Sequence, residues 1–457
     1  MITRNISRRT FLKMAGTATG GVVLAACAPA ATSAPGAAPA ASSGPTAVPS
    51  PVTLTTGNQF WSGPGFESIG AEFRKRMDAA GLDWLKVDYQ LTDTTTLETR
   101  MAAGDAPDLI YVYPELVIPW AARKQLVSLT SGINADAVWK KDADVFIKSM
   151  SDAYTYKGEL YALCMAAEAE CTSFNPDIFK AKGVKTPTEV GKDAFTLEKF
   201  AEMNAAISDD KVHGYFAAME MNQGLGDIAS AYGGQYFSDD GRKAMFNTPE
   251  FISAVDYNDK MVKAGHALNG IQSAKDGQWV AAALSNGLVG TIIAGDWAWG
   301  WAHKSQLEAK VFQPEMFYVP SGPAGRKPIA HSAGMSIFHA TKHMDAALTF
   351  MKFGFTKEFQ EVNAVMYEVV PQFPARIDAA GSIFERKLLP DFFSTLFEGS
   401  IPSPATPTMN PYAAFGYMND MWSALFNGTD KRSVKEVMDE MNARVQKDMD
   451  AGAESIS

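Results

Sequence analysis

The chain of 457 residues carries a formal net charge of −10, with 46% apolar and 20% charged residues. This acidic balance excludes nucleic acid or an anionic membrane surface as the main partner, because both require a basic protein surface. Beyond the N-terminal segment, roughly 400 residues remain, which is too many for one small core and predicts two or three domains.

The N-terminal segment has the features of an export signal. The sequence SRRTFLK at residues 7–13 leads into a short apolar stretch at 14–26 that contains glycines. A membrane-spanning helix needs roughly 20 apolar residues, so this stretch suits a signal peptide better than an anchor. SRRTFLK resembles a twin-arginine export signal, and LAAC at residues 24–27 resembles a lipoprotein lipobox. We therefore predict a signal peptide over 1–26 and lipid attached to Cys27.

The segment that follows predicts a tether. Residues 27–51 are mainly Ala, Pro, Ser, Gly and Thr, and such a composition cannot bury enough apolar surface to offset the entropy of ordering. The protein should therefore act outside the cytoplasm, in the periplasm or on the cell surface. Its only link to a membrane would be the lipid on Cys27.

The folded part begins with alternating strands and helices. We predict strands at 52–56, 84–89 and 108–113, and helices at 66–81 and 97–103. This β-α-β-α-β order predicts an α/β fold with mainly parallel sheets covered by helices. Ligands of such sheets bind in the loops after the strands, here residues 57–65 and 111–117.

Capping patterns predict further helices along the chain. Thr196 and Thr248 should cap helices at 197–207 and 249–265, and Ser433-Val434-Lys435-Glu436 should open the last helix with a capping box. Residues 345–362 predict one core-facing helix.

Cys164 and Cys171 are too far apart for a disulfide if the segment between them is extended, because each residue advances about 3.3 Å. Two buried thiols are favoured, and a disulfide would require a turn between them.

The chain resembles a known family, the carbohydrate-binding group of extracellular solute-binding proteins that serve ABC importers. The resemblance covers most of 52–457 and depends on the order of short motifs, each of them weak alone. These motifs are MAAGDAPD (101–108), KGELYA (157–162), FNPDIF (174–179), FNTPE (246–250), GDWAW (295–299) and VPSGP (319–323). The chain departs from the family pattern at Cys164, where a proline is usual nearby.

The resemblance implies a two-lobed periplasmic-binding-protein fold of type II, with a sugar in the cleft between the lobes. By its similarity to maltose-binding proteins, one lobe should contain 52–169 and 329–353. The other lobe should contain 172–328 and 356–457. The chain segments that cross between the lobes would form the hinge.

The strongest candidates for ligand contact lie in the Trp-rich run at 295–301. A pyranose presents C–H faces that stack on flat aromatic rings and hydroxyls that need polar partners. Trp297 and Trp299 match the family position of a stacking tryptophan, and Asp296 would accept hydrogen bonds from hydroxyls. The alternative is a strand whose tryptophans at every second position pack in the core.

Two acidic residues match sugar-binding positions of maltose-binding proteins. Glu115 follows the third strand, and Glu168 lies in a predicted crossing segment. Glu115 would otherwise be a helix residue favoured by the helix dipole, and Glu168 with Glu170 would be solvated carboxylates. Leu116 and Val112 stand where those proteins carry other residues, so the resemblance does not identify maltose as the ligand.

Further candidates have an equally good interpretation as core or loop residues. They are Asn58, Trp61, Tyr111, Tyr113, Tyr232, Tyr236, Arg376 and Tyr412.

The predicted function is capture of a mono- or oligosaccharide by hinge closure and its delivery to an ABC permease, by a monomeric protein without cofactor or metal. One alternative is a polyamine, because an acidic, aromatic cleft also suits an amine. A less favoured alternative is a secreted glycoside hydrolase, for which the chain lacks a specific catalytic motif. The pair His339 and His343 straddles a predicted strand-to-helix junction and does not predict a metal site.

Overall fold

A computed structural model describes residues 50–58, 64–218, 224–309, 311–331, 333–369 and 371–456. The predicted signal peptide and Cys27, nearly all of the predicted tether, and Trp61 lie outside these described residues. Asn58 belongs to a described strand, but its side chain is not described.

The strands run in chain order as follows: β1 (Val52–Asn58), β2 (Leu85–Leu91), β3 (Leu109–Val112), β4 (Thr155–Tyr156), β5 (Glu159–Leu160), β6 (Leu163–Cys164), β7 (Glu168–Phe174), β8 (His213–Ala217), β9 (Ala267–Asn269), β10 (Val289–Gly295), β11 (Glu315–Phe317), β12 (Ile329–His331), β13 (Gly334–Ile337) and β14 (Ile401–Pro402).

The α-helices are α1 (Pro64–Ala79), α2 (Thr94–Ala103), α3 (Pro114–Ala122), α4 (Thr130–Ala135), α5 (Ala137–Ala143), α6 (Lys148–Ala153), α7 (Pro176–Lys182), α8 (Pro187–Val190), α9 (Leu197–Ile207), α10 (Leu225–Tyr232), α11 (Pro249–Lys263), α12 (Gly270–Lys275), α13 (Val280–Ser285), α14 (Asp296–Ala309), α15 (Met344–Gly354), α16 (Lys357–Met366), α17 (Gly381–Glu385), α18 (Phe415–Phe426) and α19 (Val434–Ala453). Short 3₁₀ helices occupy Ile377–Ala379, Asp391–Phe397, Pro411–Ala413 and Glu454–Ile456.

Two sheets organise the described part of the chain, which confirms the two-lobed α/β fold. The first sheet has the order β2-β1-β3-β13-β6, and the second has the order β14-β12-β7-β10-β8-β9, with β11 also paired to β7. Parallel pairs join β1 to β2 and β3, and β8 to β9 and β10. The strands β7 and β13 instead pair antiparallel with β10 and β3, so the sheets are mixed rather than mainly parallel.

The antiparallel strands β7 and β13 each lie beside a crossing between the sheets. The chain leaves the first sheet after β6 and enters the second with β7, and it returns between β12 and β13. Neighbouring strands become parallel when a right-handed helical crossover connects them. A strand that enters the sheet directly from the other sheet has no such crossover and can pair antiparallel. The two crossings therefore place the start of β7 and the end of β12 between the lobes.

Local capping signals set several helix ends as predicted. The Thr196 side chain accepts a hydrogen bond from the Lys199 amide, and the Thr248 side chain accepts one from Phe251. Ser433 and Glu436 form the predicted capping box of α19. These bonds satisfy amide donors that have no partner within the helix.

The predicted single helix at 345–362 is wrong, because the chain forms α15 and α16 there. The Thr356 side chain accepts a hydrogen bond from the Phe359 amide and so caps a new helix. This threonine takes an extended backbone conformation, which interrupts the helical hydrogen bonds.

The exact lobe boundaries stay predictions, and α16 bears on them. This helix falls in the predicted range 356–457 but packs against α1, where Phe73 and Phe359 stack with ring centroids 4.4 Å apart. Arg76 of α1 also forms an ion pair with Glu361 of α16 at 3.2 Å. This part of the range therefore lies beside the first sheet.

Both described cysteines are buried free thiols, as the spacing argument favoured. Cys171 lies in the middle of β7, where burial raises the pKa of its thiol well above the ordinary value. A neutral thiol in this setting behaves as a small apolar core residue.

Candidate functional site

A cluster of polar side chains lies where the two sheets meet, and we call it the junction cluster. It comprises Glu115 of α3, Glu168 at the start of β7, His331 at the end of β12 and Asp296 at the start of α14, all of them buried. The register of β7 and β12 brings two of these together, because His331 pairs directly with Glu168. Residues distant in sequence therefore meet at the strand crossings.

His331 joins the two acidic residues of the cluster. Its Nδ1 lies 3.0 Å from Glu168 Oε2, and its Nε2 lies 3.8 Å from Glu115 Oε1. The ring also packs against Tyr113, with centroids 4.4 Å apart. Ser403 donates a hydrogen bond to Glu115 Oε1. The carboxylates are thus bound within the protein and are not solvated, which contradicts the surface interpretation of Glu168.

Asp296 holds two other segments in place. It is fully buried, and its oxygens accept hydrogen bonds from the Ala169 amide at 3.2 Å and the Tyr367 hydroxyl at 3.3 Å. Burial, together with the nearby Glu168 carboxylate, raises the pKa of Asp296 well above its ordinary value. These contacts show that Asp296 fixes the crossing segment in this conformation, where ligand in solvent does not reach it.

A second acidic pair extends the cluster along β7. Glu170 is buried, and its side chain lies close enough to Asp227 of α10 to influence the pKa of that carboxyl group. Asp227 also accepts a hydrogen bond from the Ile329 amide at 3.0 Å, and burial raises its pKa to about 7. Two carboxyl groups in contact share a proton more readily than they carry two charges.

The Trp-rich run forms the first turns of a helix, which contradicts the alternative of a strand with tryptophans on one face. Successive helical residues are rotated by about 100°, and Trp297 and Trp299 therefore point in different directions. Helix α14 begins at Asp296, directly after β10. Trp297 lines a groove at the sheet edge at which β10 ends, whereas Trp299 lines a different cavity.

Trp297 lies in a groove at the carboxyl ends of three parallel strands, and we call it the tryptophan groove. Ala218, Gly270 and Trp297 follow β8, β9 and β10 respectively, and all of them line this groove of about 400 Å³. Trp279 forms another wall and stacks on Trp297, with centroids 6.0 Å apart and planes 8° apart. This is the edge at which ligands of α/β sheets bind.

Trp299 has the environment of a core residue. It is buried, its Nε1 donates to the Pro314 carbonyl at 2.9 Å, and its ring stacks on His303 at 4.6 Å. It lines a different cavity, of about 720 Å³, with Tyr367 and Phe392. The structure therefore separates Trp299 from the tryptophan groove.

The remaining predicted residues are dispersed. Tyr111 is buried in β3, and Tyr113 joins the junction cluster through His331. Tyr232 packs beside Tyr257, and Tyr236 belongs to an aromatic core with Phe246 and Phe251. Tyr412 packs on Phe415.

Arg376 is committed to internal contacts. Its guanidinium forms ion pairs with Asp142 at 3.1 Å and Asp378 at 2.7 Å and donates to the Phe355 carbonyl. These contacts are typical of a structural arginine that ties a loop to its neighbours.

Sequence reasoning missed Trp279, His331, Tyr367 and Asp227. Trp279 follows Gly277-Gln278 in a polar turn, where a large apolar side chain is a sign of an exposed ring. His331 carries no such local sign, since its partner Glu168 is 163 residues away.

The two lobes, the direct strand crossings and a groove at the strand ends define a periplasmic-binding-protein-like fold. The family model for "Bacterial extracellular solute-binding protein" matches residues 63–361. The chain belongs to this family.

Curated relatives support the same class. A mannitol-binding protein of Pseudomonas aeruginosa is 27% identical over 239 residues, which is 49% of this chain and 53% of the relative. The chain therefore spans about half the length of that protein. A putative binding protein of Brucella abortus is 22% identical over 311 residues, covering 65% of this chain and 70% of the relative.

Solved structures show the likeness of fold. The GacH receptor of Streptomyces glaucescens, studied unliganded and with acarbose, has a TM-score of 0.70 at 15% identity and covers 87% of this chain and 98% of its own. The sugar-binding protein MalE of Xanthomonas citri has a TM-score of 0.71 at 17% identity, with 88% and 98% covered. An ABC substrate-binding protein of Listeria monocytogenes, in complex with cycloalternan, has a TM-score of 0.70 at 20% identity, with 87% and 98% covered.

In the described part of the chain, no helix combines the length and the apolar character needed to cross a membrane.

Proposed function

We propose that this protein is the binding component of an ABC importer and that it captures a neutral sugar or sugar alcohol outside the cytoplasm. The observation that carries the proposal is the position of the Trp297–Trp279 pair beside the junction cluster, at the carboxyl ends of β8, β9 and β10. The tryptophan faces suit the C–H surface of a sugar, and polar groups nearby suit its hydroxyls.

The ligands named for similar proteins support a carbohydrate. They are acarbose for the Streptomyces receptor, cycloalternan for the Listeria protein and mannitol for the Pseudomonas relative. All three are neutral or weakly basic polyhydroxy compounds. The same proteins are binding proteins, which supports a role without catalysis.

The proposed mechanism is closure of the two lobes around the ligand. The direct crossings beside β7 and β12 supply a hinge, and Ser403, His331 and Glu115 connect the two sides of it. A ligand drives closure only if it binds the closed state more tightly than the open state. Small-angle scattering should therefore show a smaller radius of gyration after addition of a ligand that binds, and an unchanged radius would refute closure.

Export and anchoring form a separate part of the proposal. The twin-arginine-like segment and the sequence around Cys27 support export and lipid attachment, with residues 27–51 as a tether that keeps the protein near its permease. Replacement Cys27→Ala should move the protein from the membrane fraction to the soluble extracytoplasmic fraction. A variant that stays membrane-bound would refute the anchor.

An amine is the second candidate, and the acidic character of the junction cluster favours it. Glu115, Glu168, Glu170, Asp227 and Asp296 gather there, and His331 lies beside Glu115 and Glu168. An amine held by carboxylates should bind more weakly as ionic strength rises, whereas a neutral sugar should respond little.

The central test is calorimetric titration of the purified protein with hexoses, hexitols, oligosaccharides and spermidine. Trp297→Ala should lower affinity for the bound carbohydrate by about tenfold or more, since a buried aromatic contact is commonly worth over 1 kcal/mol. Trp301→Ala is the matched control, because Trp301 lies on the same helix but does not line the tryptophan groove. Equal losses in both variants, or binding of spermidine alone, would refute the sugar proposal.

A further inference from the structure

Trp279 differs from Trp299 in its exposure, and from the similarly exposed Trp301 in its position on the groove. Its side chain is 44% exposed, and it stands in the turn between α12 and α13, just before α13 begins. Exposure alone does not indicate a ligand, since Trp301 is 40% exposed, but Trp279 also lines the groove at the strand ends. The Trp279 ring also packs on the Trp297 ring, and this contact holds Trp279 at the wall of the groove.

The geometry of the tryptophan pair produces two adjacent flat surfaces. Stacked carbon atoms lie about 3.5–4.0 Å apart, so a centroid distance of 6.0 Å requires the rings to be displaced sideways by roughly 5 Å. Each indole therefore covers only part of the other. Because the two ring planes are nearly parallel, 8° apart, the uncovered parts of the two rings form one stepped surface with two flat faces.

The surroundings of this surface change from its inner to its outer end. Trp297 adjoins the junction cluster across Gly295. A Cβ atom at Gly295 would lie 2.5 Å from Trp297 Nε1 and 3.4 Å from Glu170 Oε1, so the indole and this carboxylate flank the same glycine. Around Trp279 the groove wall contains Lys275 and Asn419, and Lys275 forms an ion pair with Asp420 at 3.5 Å. Polar groups that suit sugar hydroxyls are thus present at both ends.

We propose that the ligand is an oligosaccharide of at least two sugar rings, with Trp297 in contact with the inner ring and Trp279 in contact with the outer ring. The inference rests on the proposed function and names its substrate class. The groove of about 400 Å³ lies within the range of ligand pockets, about 300–1,000 Å³, and its two offset indole faces offer contact to two rings. Trp279 then determines the length of the ligand.

The test compares short and long carbohydrates on matched variants. Calorimetric titration uses glucose, mannitol, maltose, maltotriose, mannotriose and cycloalternan against the wild type, Trp279→Ala, Trp279→Phe and Trp301→Ala. We expect an oligosaccharide to bind the wild type at least about tenfold more tightly than a single ring. Trp279→Ala should remove most of that advantage, so that affinity for the oligosaccharide falls at least about tenfold more than affinity for single-ring sugars, while Trp279→Phe should keep most of it.

The possible outcomes separate the inference from the function on which it rests. If single rings or hexitols bind as tightly as oligosaccharides, or if Trp279→Ala leaves oligosaccharide affinity unchanged, the inference is wrong and the sugar-binding proposal stands. If the wild type binds no carbohydrate in the series, both are wrong. Thermal unfolding of each variant checks that Trp279→Ala is folded, which its exposed position leads us to expect.

Discussion

The junction cluster and the tryptophan groove adjoin each other but differ in the burial and bonding of their side chains. The cluster buries carboxyl groups that bond to partners within the protein, as His331 and Asp296 show. The groove presents partly exposed rings whose faces remain open to a ligand. The difference indicates that changes in the cluster should act on stability and closure, whereas changes in the groove should act on binding.

The largest expected effect concerns the pH dependence contributed by Asp227. Burial raises its pKa from 3.8 to about 7, so the folded state holds a proton more tightly than the unfolded state. The stabilising contribution of this proton is fully present below about pH 4 and is lost as pH rises through about 7. The loss is limited to about 4 kcal/mol, at about 1.4 kcal/mol per pH unit.

Urea unfolding of the wild type and Asp227→Asn between pH 4 and pH 8 measures this contribution. The asparagine keeps an oxygen for the Ile329 amide but does not titrate. The free energy of unfolding of the variant should gain on that of the wild type as pH rises. Parallel curves would show that Asp227 has the same proton affinity in both states.

The second expected effect is the loss of the link between the two acidic residues of the cluster. His331→Ala removes the partner of Glu168 and the neighbour of Glu115 and should lower the free energy of unfolding by about 3 kcal/mol. His331→Gln retains an amide donor and should lose less. Chemical denaturation measures both, and an Ala variant as stable as the wild type would show that the junction cluster does not support the fold.

A smaller effect is expected at Asp296. Asp296→Ala leaves the Ala169 amide and the Tyr367 hydroxyl buried without this acceptor and should cost about 2 kcal/mol. Asp296→Asn keeps an acceptor and should cost less than half as much. If the two variants unfold at the same denaturant concentration, these hydrogen bonds do not contribute to stability.

Features that depend on residues close together in the sequence were predicted more accurately than features that depend on long-range contacts. The strands around β1 to β3 and the caps at Thr196, Thr248 and Ser433 depend on neighbouring residues, and they were predicted with small shifts at their ends. The helix break at Thr356 had a local signal too, but the apolar pattern on both sides of it suggested continuity. Competing local signals of this kind are decided by tertiary packing.

The candidate site was harder to predict because its contacts are long-range. Glu115 and Glu168 were found only through resemblance to a family, and His331, which joins them, was not found. The alternating tryptophans of the Trp-rich run left a core strand open as the alternative to a binding site, yet β10 ends at Gly295 and a helix follows. Period-two patterns of large apolar residues fit a buried helix start as well as a strand when the run is short.

The smallest effect on stability is expected in the tryptophan groove, and it gives the sharpest contrast with the cluster. Trp279 and Trp297 are both partly exposed, so the double replacement by alanine should lower the free energy of unfolding by only about 1 kcal/mol. The same replacement should abolish carbohydrate binding, because it removes both flat surfaces. Denaturation and calorimetry on one preparation measure the two quantities together. A double variant that unfolds as readily as His331→Ala would show that the rings support the fold, and the separation of the two regions would then be wrong.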